Sequence, residues 1–205
     1  DGPTYPARMR TGSVGRDEDL DEVVGALTRG TGVLLTGPIG VGRTHLCDQI
    51  ADRGRSVGVD VLALRGVAAG RRVPAGVVTD ELTDDPAPGP ASLRRRVQRR
   101  VDGDAPSWVV VDDVHLLDDG SLAELLGLAH RGDVVVVASC PDTAVTDMRV
   151  QDLWRSDLLA RSRVAPLPRR HADALLEHWL DGPASRALRA AAWTATLGVP
   201  LTLHD

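Results

Sequence analysis

TGVLLTGPIGVGRTH, residues 31–45, reads as a short apolar strand, a glycine-rich turn and the first turn of a helix. Val33, Leu34 and Leu35 supply the strand. The turn fits the phosphate-binding pattern G-x-x-x-x-G-K-[ST] at every position but one. Gly37 opens it, Gly40 lies inside, Gly42 closes it and Thr44 ends it, while Arg43 stands where the pattern has lysine. Glycines let the backbone curl so that successive N–H groups face phosphate oxygens. The helix beginning near Arg43 adds its partial positive end. The Thr44 hydroxyl is the residue type that ligates a nucleotide-bound Mg²⁺. The candidate nucleotide-binding set on this stretch is therefore Gly37, Gly40, Val41, Gly42, Arg43, Thr44 and His45. A glycine turn joining a buried strand to a helix would explain the loop alone, but a second motif downstream agrees with the phosphate reading.

Composition narrows the choices. A chain of 205 residues can bury one good core, or one core and a small helical appendage. Its 24 basic and 29 acidic residues give a net charge of -5, which disfavours a chain-wide nucleic-acid or anionic-membrane surface. Two cysteines, Cys47 and Cys140, make no disulfide framework and read as buried thiols of a reducing compartment. No apolar run approaches membrane-spanning length and no signal-peptide core opens the chain, so the expectation is a cytoplasmic protein with no membrane partner. The sequence holds no lysine, asparagine or phenylalanine, and only Ile39 and Ile50 as isoleucines. These types share A/T-rich codons, which points to a G+C-rich source and gives one route by which Arg43 arose.

Residues 1–13 are expected to be a flexible lead. A helix follows, capped by Asp17, with Leu20, Val23, Val24 and Leu27 at helical spacing. After the loop, a helix over 44–53 is stopped by Gly54. Residues 57–64 read as a second strand, and 77–82 as one or two helical turns. Residues 91–101 form a basic helix, read as a solvated face in an acidic chain. Trp108 to Asp113 is a continuous apolar run ending in two carboxylates, as in a strand buried on both faces of a parallel sheet. A helix over 116–129, a strand over 134–138 ending at Ser139, a poorly defined helix over 142–159 and a short last strand over 163–167 follow. Helices over 171–180 and 184–196 then succeed one another with no strand between. This divides the chain into a core over 14–167 and a helical lid segment over 168–205.

Open α/β sheets place ligand chemistry at the C-terminal ends of their strands. Asp112 is therefore expected to hold Mg²⁺, through water, opposite Thr44. Asp113 is expected to orient or deprotonate an attacking water, as the catalytic residue. Ser139, at the tip of the next strand, would sense the terminal phosphate.

With these motifs in place, the chain resembles the nucleotide-binding module of the STAND ATPases, an AAA+-like group, and within it the large LuxR-type bacterial transcription regulators. Val14-Gly15-Arg16-Asp17, the glycine loop, VVVDDVHLLD over 109–118 and Gly198-Val199-Pro200-Leu201 carry the likeness. The resemblance implies an α/β P-loop NTPase, a three-layer sandwich whose five-stranded parallel sheet has the phosphate-loop strand central, followed by the start of a helical lid. It places Val14 and Arg16 near the base or phosphates and Pro200 on the adenine. It implies an ATP/ADP-operated switch partnered by other domains of the same regulator, with DNA bound through a domain not present here; self-association is left open. Arg43 departs from the family, and its planar fork differs from a compact ammonium. Weak or lost hydrolysis is the expectation. Three rivals stand: an active ATPase of the replication-initiator or helicase-loader type, which GRTHL over 42–46 also suits; a scaffold that no longer binds nucleotide; and, more remotely, a small-molecule P-loop kinase.

Overall fold

The computed structural model describes residues 15–67, 77–78 (backbone only), 107–155 and 157–201. Val14 and the basic segment 91–101 lie outside the described residues. Helix α1 (Asp17–Thr28) leads into strand β1 (Gly32–Gly37), the glycine loop and helix α2 (Arg43–Ser56). Strand β2 (Val61–Gly66) and the two-residue β3 (Val77–Val78) precede β4 (Ser107–Asp112). Helix α3 (Asp119–His130), strand β5 (Val134–Pro141), helix α4 (Met148–Arg155) and strand β6 (Leu159–Arg163) complete the sheet region. Helices α5 (Arg169–Trp179) and α6 (Arg186–Thr196) follow.

The sheet order is β3-β2-β4-β5-β1-β6. Five strands are parallel, from β2 to β6, and β3 pairs antiparallel to β2. The expected five-stranded parallel sheet with flanking helices is present. The middle of those five is β5, however, and β1 sits one place in from the β6 edge. Apolar runs explain the interior strands. In β4, Val109 and Val111 face one core with Leu34, Val136 and the α3 leucines, while Trp108 and Val110 face the other with Leu35, Leu46 and Ile50. A run buried on both faces needs no polar alternation. Each fully buried Leu or Val contributes about 1.5–3 kcal/mol relative to exposure.

Several boundaries differ from the expectations, each for a local reason. Asp17 is the first helical residue rather than the cap; Arg16 holds the cap position, and Asp17, Glu18 and Asp19 line the first turn. Gly54 does not stop α2. It lies inside the helix, where an added Cβ would come 2.7 Å from the Trp108 ring and 2.8 Å from Val61. The missing side chain lets α2 lie on the sheet, so the helix runs on to Ser56 and Val57 becomes an exposed C-cap. The second strand therefore starts at Val61, not at 57. Backbone 77–78 is strand, pairing Val78 with Arg65 and Val77 with Gly66, rather than helical turn. Asp118 accepts from the N–H groups of Gly120 and Ser121, so α3 begins after it rather than at 116. The segment 142–159 splits into a 3-10 turn, α4 and the start of β6. The last strand is Leu159–Arg163, earlier than the apolar 163–167; it is an edge strand with mostly exposed side chains, so apolar run length did not mark it. Both cysteines are free and buried. No helix among the described residues is long and apolar enough to cross a membrane.

The contact at Gly54 is checkable. Gly54→Ala should lower stability by about 1–3 kcal/mol, because overpacking against Trp108 outweighs the better helix propensity of alanine. Chemical denaturation of both proteins measures it; an unchanged or raised midpoint would show that the ring simply moves aside.

Candidate functional site

Strand β1 delivers Gly37 at the C-terminal edge of the sheet, and the chain turns at Gly40 (φ +79°) and Gly42 (φ +99°) into α2. Both conformations are left-handed, which explains glycine at each position. Gly42 caps α2 with no side-chain bond, and no acidic residue occupies the first turn. By contrast α3 is capped by Asp118 and α6 by Ser185. The α2 end thus keeps its positive field for an anion instead of spending it on a carboxylate.

Arg16 is 5% exposed. Its Nη2 donates to the Val41 carbonyl at 2.7 Å, and its Nη1 meets Asp19 at 2.9 Å. It braces the loop from behind, and Val41 itself is fully buried. Thr44 and His45 are exposed on the first turn of α2. Pro200 is half-buried next to Leu201, whose N–H donates to the Gly40 carbonyl at 3.1 Å. An added Cβ at Gly40 would come 2.7 Å from Leu201. The segment after α6 therefore rests on the loop, and Leu167 N–H bonding to the Gly198 carbonyl at 2.8 Å holds its other side.

Arg43 does not project from the loop. Its Nη1 donates to the Gly37 carbonyl at 2.7 Å and the Pro38 carbonyl at 2.6 Å. Its Nη2 lies 3.8 Å from Asp113, and its side chain is 10% exposed. The guanidinium closes the loop over its own carbonyls. Each such charge-assisted bond contributes about 1.5–3 kcal/mol, so the folded-back position resists displacement.

The carboxylates form a second cluster. Ser139 donates from Oγ to Asp112 Oδ1 at 2.6 Å and accepts the Asp113 N–H at 3.0 Å. Parallel pairing of β4 with β5 brings the two strand ends level. Ser139 thus holds both carboxylate residues in place. Asp113 has left-handed backbone (φ 52°) and stands 3.9 Å from His115. Burial and then the neighbouring Asp112 charge raise its pKa, partly offset by His115, Arg43 and Arg65. Asp112 is 4% exposed, and Arg65 Nε lies 3.3 Å from its Oδ2. Register explains the meeting: Arg65 pairs with Asp112 across β2 and β4. Arg65 also reaches to 3.9 Å from Asp48 on α2. Thr44 and Asp112 were expected to share a divalent cation; as folded, Asp112 already faces an internal cation, so the pair does not fit a resident metal without rearrangement.

The structure therefore assembles Arg16, the loop residues 37–45, Asp112, Asp113 and Ser139 at one sheet edge, with Pro200 reaching it from the segment after α6. Val14 lies outside the described residues. Arg65, Asp48 and His115 were missed. The signal for Arg65 was its place at the end of a strand that pairs with the one carrying Asp112.

The raised pKa of Asp113 has a sign. The folded state holds its proton more tightly than the unfolded chain, so its contribution is most favourable at low pH and is lost as pH rises through the raised pKa. Asp113→Asn keeps a residue that tolerates this backbone. It should raise the melting temperature at neutral pH, with the gain closing as pH falls below about 4. Thermal melts of both proteins across pH test this; equal curves at neutral pH would show that the Arg43 and His115 attractions cancel the burial cost.

No family model matches the sequence and no curated protein matches it. Solved structures do. A closed-state reconstruction of Hsp104 with ATPγS and FITC-casein superimposes with TM-score 0.66 at 16% identity, covering 93% of this chain and 36% of that one. A point variant of Thermotoga maritima RuvB gives 0.62 at 14%, covering 94% and 59%. AMPPCP-bound DnaA from Aquifex aeolicus gives 0.56 at 13%, covering 96% and 60%. The chain thus spans between about a third and three-fifths of these neighbours. At such identities the likeness is one of fold, the α/β sheet of a P-loop NTPase.

Proposed function

We propose that the chain is an ATP/ADP-binding switch module of a STAND-type transcription regulator, with hydrolysis slow or lost. The observation that carries the reading is the glycine loop itself: two left-handed glycines, an uncapped α2 and a buried Arg16 brace leave a cationic, amide-rich nest at the sheet edge. Nests of this kind take the phosphates of a nucleotide. Adenine specificity, with Pro200 on the base and Val14 nearby, rests on the family resemblance. So does the setting among further domains and the location in the cytoplasm, with DNA contacted elsewhere in the full regulator.

Arg43 supports binding without rapid turnover. To reach the outer phosphates its guanidinium must leave two loop carbonyls, whereas the rest of the nest is already formed. Asp113, its pKa raised, is the group best suited to accept a proton from water, but it shares its surroundings with Arg43. A cation drawn onto the loop and toward this base is poorly placed to stabilise charge growing on a transferring phosphoryl group.

The same contact favours one rival, a scaffold that binds nothing, because a guanidinium on the loop carbonyls closes an empty nest equally well. Thermal stability with ADP separates them. A ligand at about a hundred times its Kd stabilises by about 2.7 kcal/mol, or about 5–10 °C here. The switch reading expects that rise; no rise at millimolar ADP or ATP leaves the scaffold. Arg43→Lys should further bind ATP roughly tenfold more tightly, since the ammonium forgoes at least one of the two strong loop bonds. It should also show measurable phosphate release where the parent shows little. No gain in either would clear Arg43 of the handicap assigned to it.

A further inference from the structure

Arg65 lies outside the glycine loop and the Asp112-Asp113 motif, yet it sits at their junction. Asp112 is buried, and one of its oxygens is committed to Ser139 at 2.6 Å. The other, Oδ2, is buried without a hydrogen bond and faces Arg65 Nε at 3.3 Å. The same guanidinium lies 3.9 Å from Asp48, one helical turn beyond Thr44 on α2. It thus bridges the start of α2 and the end of β4, the two elements between which a nucleotide-bound divalent cation would be shared. A second guanidinium, Arg43, lies 3.8 Å from Asp113 on the other side of the loop.

We propose that Arg65 takes the place of the divalent cation at Asp112, so that this site binds a nucleoside diphosphate without requiring Mg²⁺. The proposal rests on the nucleotide-binding reading and deepens it. The physical ground is charge compensation. A buried carboxylate needs a counter-charge whether or not a ligand is present. In most phosphate sites a hydrated metal supplies it only when nucleotide arrives. Here the chain carries a fixed cation, held by the register that pairs Arg65 with Asp112. A hydrated Mg²⁺ would have to displace that guanidinium or crowd a second positive charge beside it. Polyphosphate oxygens can instead be neutralised by the loop amides and the positive end of α2, while Arg65 answers the Asp112 charge with no proton release.

Calorimetry with ADP, in excess MgCl₂ and again in EDTA, decides the matter on the full chain. The wild type should bind with affinities within about threefold of each other in the two buffers. Arg65→Ala should lose about tenfold or more in EDTA and regain most of it in MgCl₂, since the vacated carboxylate then accepts the metal. A wild-type affinity that falls tenfold or more in EDTA overturns the proposal while leaving nucleotide binding intact, and so does an unchanged EDTA-to-MgCl₂ ratio in Arg65→Ala. If Arg65→Ala melts without cooperativity, the wild-type comparison stands alone, and Arg65→Lys should retain metal-independent binding. No heat for the wild type in either buffer removes the nucleotide reading itself, and this proposal with it.

Discussion

A carboxylate buried as deeply as Asp112 needs hydrogen bonds and a counter-charge from its surroundings. Much of the site can be read as the answer to that requirement. Ser139 gives a short hydrogen bond, and its oxygen in turn takes the Asp113 N–H, which fixes the sharp turn leaving β4. Arg65 gives the charge and ties β2 to β4 and α2 through Asp112 and Asp48. Cys47, packed behind, feels the same field: burial first and then Asp112 and Asp48 hold its thiol well above the ordinary range, so it remains a neutral core side chain. Cys140, at the end of β5, is pushed to about 11 chiefly by burial.

How much of this was legible depended on which force set each element. The interior strands were readable because burial on both faces leaves an uninterrupted apolar run, as in Val109 to Val111 and Val134 to Val137. The loop was readable because left-handed backbone at Gly40 and Gly42 selects glycine directly. Elements set by pairing rather than by burial escaped. Strand β6 carries Arg161 and Arg163 and is a strand because β1 hydrogen-bonds to it, which no periodicity records. The full length of α2 is hidden from the sequence because glycine commonly ends a helix, whereas Gly54 serves close approach to Trp108. The candidate site divides the same way. Residues within one motif were found together; Arg65 and Asp48 join only through strand register and helix docking.

The loop is constrained on four sides. Arg16 holds Val41 from below, Arg43 holds Gly37 and Pro38 from within, Leu201 holds Gly40 from the segment after α6, and α2 follows directly at Gly42. Three of these four contacts end on backbone carbonyls. That matters chemically, since a peptide whose carbonyl turns to an arginine or to Leu201 presents its N–H edge the other way; of these peptides Pro38–Ile39 and Val41–Gly42 leave an N–H to offer, because Pro38 has none and the Val41 N–H donates to the Pro38 carbonyl at 3.4 Å. A loop whose carbonyls are satisfied is pre-organised to present amides, and pre-organisation lowers the ordering cost of binding an anion.

That arrangement also links binding to the helical segment. Gly40 lies at the tip of the loop, between an exposed Ile39 and a buried Val41, and its carbonyl accepts from Leu201 while its missing side chain admits Leu201 against it. Gly198, in turn, has left-handed backbone and lies against the Leu167 carbonyl, where a side chain would clash. The segment is therefore pinned at one end to the chain leaving β6 and at the other to the loop. Any ligand that shifts Gly40 must either carry Leu201 with it or break one backbone hydrogen bond. Such a bond contributes about 0.5–1.5 kcal/mol, a few-fold change in an equilibrium and small enough for a ligand's differential affinity to tip. A contact of this size couples the loop to the segment after α6 without locking the two together.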